Sequence, residues 1–565
     1  MSQPTPAIVA QGAVRRLPRA ALLLFCLAYL LPGFIGREPW KSADMTAFGY
    51  MLELVHGSSD WFAPTLMGVA PEVDALLPYW LGAWAMQLAP ALMAPDLAAR
   101  IPFIALLALA MLATWYGTYY LARSPGAQPL PFAFGGEAQA PDYARAIADG
   151  ALLALIACLG LAQLAHETTP ALAQLCFTAL IFHALAAMPY RTVAPLLGGT
   201  LGLAGLALSG APTLALLFGL GGALIAWRDR PDPDENAPRK PRRAWAVLLA
   251  SALMALLAWK LDLWRWRITF AQASWSEWQS LGRLLLWFTW PAWPLALWTL
   301  WRWRRQLRRG EFSRHLALPM WFALVSIATT LSTASAERSL LLGLPALAAL
   351  AAFALPTLKR SVAALVDWFT LLFFSGCALV IWVVWIAMQT GVPHQPAANV
   401  ARLAPGFEPA FGWVAFVLAL AATLAWAWLV QWRVGRNRAA IWKSLVLPAG
   451  GAALCWLLLM TLWLPLLDFA RSYAPLVRRV AGTLDEPHCV ETRGLSRGQI
   501  AAFEFHARLN LRPAGTTEKC PWLVVDRDAV GTMVGSFNLD QWKLHSTIRR
   551  PSDSNEDIML FRRRD

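Results

Sequence analysis

Six carboxylates, Glu38, Asp44, Glu53, Asp60, Glu72 and Asp74, crowd the stretch Gly36–Trp80 of a chain that is otherwise largely apolar. A carboxylate held beside a hydroxyl can accept its proton or align it for attack. Cations facing it would stabilise a departing phosphate, where negative charge develops. Lys41 stands among the acids, and further cations sit at Arg265 and Arg267, in Trp264-Arg-Trp-Arg267, and at Arg338, in Ala336-Glu-Arg338-Ser. Guanidinium binds phosphate oxygens bidentately and stacks on aromatic rings, so an Arg–Trp weave suits a phosphate headgroup. The same weave suits an interfacial anchor, and Arg338 can simply pair with Glu337. A loop in water is also acidic without any chemistry. His166 and Glu167 form a second polar spot, either a proton relay or metal-ligand pair or a plain polar turn. The eight histidines are scattered, so no cofactor is assigned, and a divalent metal stays open with no ligand set of metal spacing behind it. The glycine pairs at 135–136, 198–199 and 450–451 lack the strand–turn–helix setting of a nucleotide loop.

The elements that must position these groups are membrane helices. Of 565 residues, 58% are hydrophobic and only 15% charged, a balance that leaves a soluble domain too few polar groups to cover its surface. The net charge of +14 sits in short loops between apolar runs, which reads as topology and argues against nucleic acid as a partner. Many of the 31 tryptophans, such as Trp264, Trp266, Trp301 and Trp303, lie near the ends of those runs, as an interfacial belt requires.

A span needs roughly 20 apolar residues, and that window yields about 13 segments. They are Ala20–Ile35, Ala98–Leu121, Gly150–Ala165, Pro170–Met188, Val193–Leu208, Pro212–Trp227, Ala244–Leu261, Gly282–Trp301, Leu316–Leu331, Leu340–Leu355, Val362–Met388, Gly412–Trp432 and Ser444–Leu467. The first has no small-residue cleavage site behind it and is expected to be retained. Leu76–Met93, interrupted by Pro78, Gly82 and Pro90, is expected to lie on the membrane surface. Arg15, Arg16 and Arg19 before the first segment place the N-terminus in the cytoplasm, and basic loops then alternate with loops poor in Lys and Arg. This puts Gly36–Leu97, His166–Thr169, Asp262–Leu281, Ala334–Arg338 and the C-terminal part on the outer side.

From Asp468 the chain changes character. Leu523–Asp526 and Trp542–Arg549 alternate like strands, and Gln499–Leu511 has helical spacing. The expectation is a membrane domain over 1–467, with its first outer loop at 36–97, and a small α/β domain over 468–565. Five cysteines lie in apolar runs, whereas Cys489 and Cys520 fall in this outer part and are expected to pair there.

Asp44-Met-Thr-Ala-Phe-Gly49, then Ser59-Asp-Trp61, Pro64, Leu66 and Gly68, then Tyr79-Trp80, all directly after a first span, resemble the integral-membrane glycosyltransferases of the GT-C fold. The likeness is to the aminoarabinose transferases acting on lipid A and the related protein O-mannosyltransferase superfamily, and it covers about the first hundred residues. It implies a mostly α, polytopic fold in the bacterial inner membrane and transfer of a sugar from an undecaprenyl-phosphate-type donor to a lipid A, glycan or protein acceptor. It places Asp44 at the family's essential loop aspartate and makes Tyr79 and Trp80 cleft residues beside the acceptor, where His166 is a further candidate read from its own polar turn. Met45 stands where the family usually has Glu, and Pro71-Glu-Val-Asp74-Ala-Leu-Leu-Pro78 replaces Glu-Lys-Pro-Pro. Glu72, Asp74 or Glu38 then supplies the second acid. Lys41, Arg265, Arg267 and Arg338 remain for the donor phosphate.

Two other classes fit the composition. A lipid or glycan transporter would carry ionisable residues inside its spans, and the span interiors here are almost uncharged. A non-catalytic GT-C paralogue would keep the fold and lose transfer.

Overall fold

The computed structural model describes residues 5–229, 240–264, 274–308, 313–333, 336–434, 440–485, 487–515, 520–533, 541–553 and 556–564. It is mostly helical with one small sheet, and it divides into two compact units. The first gathers Met1–Phe34, Phe103–Leu379 and Val417–Leu458; the second gathers Ile35–Pro102, Val380–Phe416 and Leu459–Asp565.

The apolar segments read from the sequence are largely helical, with shifted bounds: Ala20–Ile35 is helical only to Leu30. Among the described residues, 7 helices are long and apolar enough to cross a membrane, and four more apolar helices, Arg19–Leu30 (α1), Val193–Leu208, Pro212–Arg228 and Leu344–Thr357, are shorter. Gly282–Trp301 does not form one span. It is split into Trp275–Phe288 and Ala292–Arg302 at Pro291, which lacks the N–H that a continuous helix would bond. Gly150–Ala165 is not one helix either: its first half ends the helix Ala140–Ala157, which starts ten residues earlier with Pro141 in its first turn, and Leu161–Leu164 forms a separate short turn of helix.

Small residues allow close helix packing in the first unit. A Cβ on Gly205 would stand 2.4 Å from the Phe177 ring, and one on Gly202 would stand 2.7 Å from Ile181. Lipid tails give apolar helices no hydrophobic reason to associate, so such contacts are the attraction that holds them together.

The second unit contains α2 (Ala43–His56), α3 (Leu77–Leu88), the start of α4 (Pro95–Ala122) and the C-terminal sheet. Leu76–Met93 thus includes a genuine helix, α3, with Pro78 in its first turn. The sheet has the order β2-β1-β3-β5-β4, from β1 (Val490–Arg493), β2 (Leu511–Pro513), β3 (Trp522–Asp526), β4 (Trp542–Arg549) and β5 (Asp557–Arg563). β1 lies parallel to β2 and β3, while β5 runs antiparallel to β3 and β4. Cys489 immediately precedes β1 and Cys520 stands two positions before its parallel neighbour β3; their Cα atoms are 5.4 Å apart and a disulfide joins them. Leu523, Val525, Trp542 and Phe561 form the apolar core of one sheet face.

The helix expected over Gln499–Leu511 runs from Arg497 to Ala507, opened by a Ser496–Gln499 capping box and stopped where Arg508 turns left-handed at φ 51°. It packs on α2 so closely that a Cβ on Gly49 would fall 2.5 Å from that of Ala501.

Candidate active site around Asp44

Gly36-Arg-Glu-Pro-Trp-Lys-Ser leads into α2, and Asp44 sits in the first helical turn, where unbonded backbone N–H groups favour a carboxylate. Its side chain is 1% exposed. It accepts a hydrogen bond from Arg37 Nη2 at 2.7 Å and another from the Trp40 backbone N–H at 3.2 Å. Arg37 is equally buried, and its guanidinium lies 4.6 Å from the Trp40 ring centre; Arg471 lies 5.1 Å from the same ring. The Trp40 indole N–H donates to Asp468 at 2.7 Å. Arg100, on α4, is 2% exposed, pairs with Asp96 at 3.2 Å and interacts electrostatically with Arg37, Asp44 and Asp468. The result is a buried set of alternating charges around one indole. Such groups persist in low dielectric only when each is paired and hydrogen-bonded.

Asp468 differs from Asp44. Burial, chiefly, pushes its carboxyl up to about 7, opposed by the Trp40 hydrogen bond and reinforced by the charge of Glu38. Asp468 is thus held by the Trp40 indole N–H and Asp44 by the backbone N–H of the same residue.

The other expected site residues are placed as follows. Glu38 faces Arg478 at 3.5 Å in an exposed pair. Glu72 is exposed and accepts from Arg497 at 2.8 Å, and Asp74 is half-buried before α3. Lys41 pairs with Asp553 at 2.8 Å and Glu556 at 3.2 Å, residues that lie between β4 and β5. Tyr79 is buried against Tyr50, with ring centres 5.3 Å apart, and burial raises its phenol above the ordinary range. Trp80 donates its indole N–H to the Trp61 carbonyl at 2.7 Å and joins Phe62 and Trp84 in an aromatic cluster.

In the other unit, His166 is buried among Phe34, Tyr29 and Trp456, and its ring nitrogens face the carbonyl oxygens of Ala162 and Tyr29. Arg338 approaches Glu167 at 3.8 Å, so the acid beside it is Glu167 rather than the sequence neighbour Glu337. Arg265 and Arg267 lie outside the described residues.

Sequence reasoning left Arg37, Trp40, Asp96, Arg100 and Asp468 unassigned. Arg100 carried a signal, being an ionisable residue inside the apolar run Ala98–Leu121. Asp468 carried none, since it stands 428 positions from Trp40.

No family model and no curated protein matches the chain. Among solved structures it is similar to ArnT from Cupriavidus metallidurans bound to undecaprenyl phosphate, with a TM-score of 0.61 at 14% identity, covering 96% of this chain and 98% of that one. The apo form of the same protein gives a TM-score of 0.57 over the same shares, also at 14% identity. The chain therefore has an ArnT-like GT-C fold, with membrane helices and a small C-terminal sheet domain.

Proposed function

We propose that the protein is a glycosyltransferase that takes a sugar from a polyprenyl-phosphate donor. The observation that carries this reading is the buried Arg37–Asp44 pair on the loop after the first apolar helix, in a chain whose fold matches a protein solved with undecaprenyl phosphate. The acceptor hydroxyl oxygen bonds to the anomeric carbon while the bond from that carbon to the phosphate oxygen breaks. The phosphate leaves with the electron pair, and the hydroxyl proton is lost to a carboxylate. Asp44 orients the acceptor and takes that proton, with Arg37 and the Trp40 amide fixing its oxygen. The phosphate is a good leaving group and needs cations rather than an acid; Arg338, Arg265 and Arg267 fill that role. Glu38, Glu72 and Asp74 serve the acceptor side of the first loop, with Tyr79, Trp80 and His166 shaping the cleft.

The reading sets the reaction at the periplasmic face of the inner membrane, with the N-terminus in the cytoplasm. The membrane domain, 1–467, carries the chemistry and the outer domain, 468–565, supports it. The acceptor is lipid A, another glycan or a protein. The experiment is release of prenyl phosphate by purified protein in nanodiscs, comparing wild type with Asp44→Asn over a panel of prenyl-phosphate sugars. Release abolished by the substitution supports the enzyme; equal release by both overturns the role of Asp44. Donor binding without release by either protein favours a non-catalytic paralogue.

A further inference from the structure

The turn joining β4 to β5 grips the backbone that carries the Asp44 site. Arg550 has a side chain only 1% exposed. Its Nη2 donates to the carbonyl oxygens of Ala470 at 2.8 Å and Ser472 at 3.0 Å, and its Nη1 donates to Glu556 at 2.6 Å. The guanidinium also lies 5.0 Å from the Tyr473 ring centre. Ser552 Oγ adds a bond to Ala470 O at 2.9 Å.

The segment so held is the partner of the site's own loop. Trp40 and Ser472 form an antiparallel bridge, and the Lys41 N–H donates to the Arg471 carbonyl at 2.8 Å. The Lys41 ammonium reaches back to Asp553 and Glu556 in the same turn. A buried guanidinium is unfavourable unless its donors are satisfied. Here Nη1 is met by the Glu556 carboxylate and Nη2 by two main-chain carbonyls of one short segment, which fixes the path of that segment. Trp40, bonded to both Asp44 and Asp468, follows that path.

We propose that Arg550 is a positioning residue. By clamping Ala470 and Ser472 it sets the place of Trp40, and through Trp40 the places of Asp44 and Asp468. The outer domain then completes the site. The inference deepens the transferase reading and rests on it for its kinetic arm only.

The test uses full-length protein in nanodiscs and compares wild type with Arg550→Gln, Arg550→Lys and Arg549→Gln. The last of these breaks a neighbouring pair with Asp557 across β4 and β5, in which Arg549 is 61% exposed. Amide hydrogen exchange in Arg550→Gln is expected to rise about tenfold or more in peptides over 38–47 and 468–475, with β3 and β5 unchanged. Arg550→Lys restores part of the protection, and Arg549→Gln leaves both segments at wild-type rates. Unaltered exchange over 38–47, or equal acceleration through β3 and β5, overturns the proposal. In turnover, Arg550→Gln is expected to lower kcat about tenfold or more while the donor KM stays within about twofold. Loosened exchange with unchanged kcat removes the positioning role. Loosened exchange in a protein whose wild type transfers no sugar supports the clamp and sinks the transferase reading instead.

Discussion

The Trp40 indole donates to Asp468 at 2.7 Å while the Trp40 backbone N–H donates to Asp44 at 3.2 Å, so one residue ties together two acids far apart in the chain. The two acids receive different treatment. Asp44 is locked against a buried guanidinium, whereas Asp468 is half-buried and holds its proton more strongly than an ordinary aspartate.

The raised carboxyl of Asp468 has a pH signature. The folded protein holds this proton up to about pH 7, whereas the unfolded chain releases it near 3.8. Its stabilising contribution is therefore complete below about pH 4 and declines as pH climbs through about 7. Asp468→Asn mimics the protonated group, so the Tm of wild type minus that of the variant is expected to fall between about pH 4 and 8. Thermal-shift curves across that range check this, and a constant difference would contradict it.

Arg37 and Asp44 should behave as a coupled pair. Removing one partner leaves a buried charge without its counter-ion, so Arg37→Met is expected to destabilise by about 3–5 kcal/mol. The double variant Arg37→Met with Asp44→Leu should lose less than the sum of the single changes. Denaturation of all four proteins gives the coupling energy; simple additivity would mean that the pair contributes nothing as a pair.

The sheet domain should depend on its disulfide. Cys489 and Cys520 are separated by 31 positions, and closing a loop of that length contributes about 4 kcal/mol in the chain-entropy picture. Cys489→Ser with Cys520→Ser should expose β1 and β3 to proteolysis before the membrane helices unfold. Equal resistance of the double variant and wild type would argue that the strands need no staple.

Contact between α2 and the helix Arg497–Ala507 depends on Gly49. Gly49→Ala places a methyl 2.5 Å from the Cβ of Ala501, a clash expected to cost about 1–3 kcal/mol. Ala501→Gly on that background should recover part of the loss. A stable Gly49→Ala protein with no benefit from the second change would show that the helices can separate freely.

The membrane helices were legible because an apolar run of about 20 residues has few alternatives to helix. Where such a run contained Pro291, length alone could not show that the helix would break. Asp44 was legible as an acid on a short loop after the first apolar helix. Its partner Arg37 stood in the same loop yet offered no sign of burial, because charged neighbours in sequence usually point to water. The partners of Lys41 were illegible for a related reason: Asp553 and Glu556 are brought to it by tertiary folding alone. β1 and β2 are too short and too polar, as Val-Glu-Thr-Arg and Leu-Arg-Pro, for alternation to mark them.

The central claim is that the buried aspartate of the first loop serves sugar transfer from a lipid phosphate. The most direct test is prenyl-phosphate release by wild type and by Asp44→Asn, with donor binding measured in both. The account predicts release by wild type, a loss of at least about a hundredfold in the variant, and donor binding retained by both. Release undiminished by Asp44→Asn in a folded protein would contradict it.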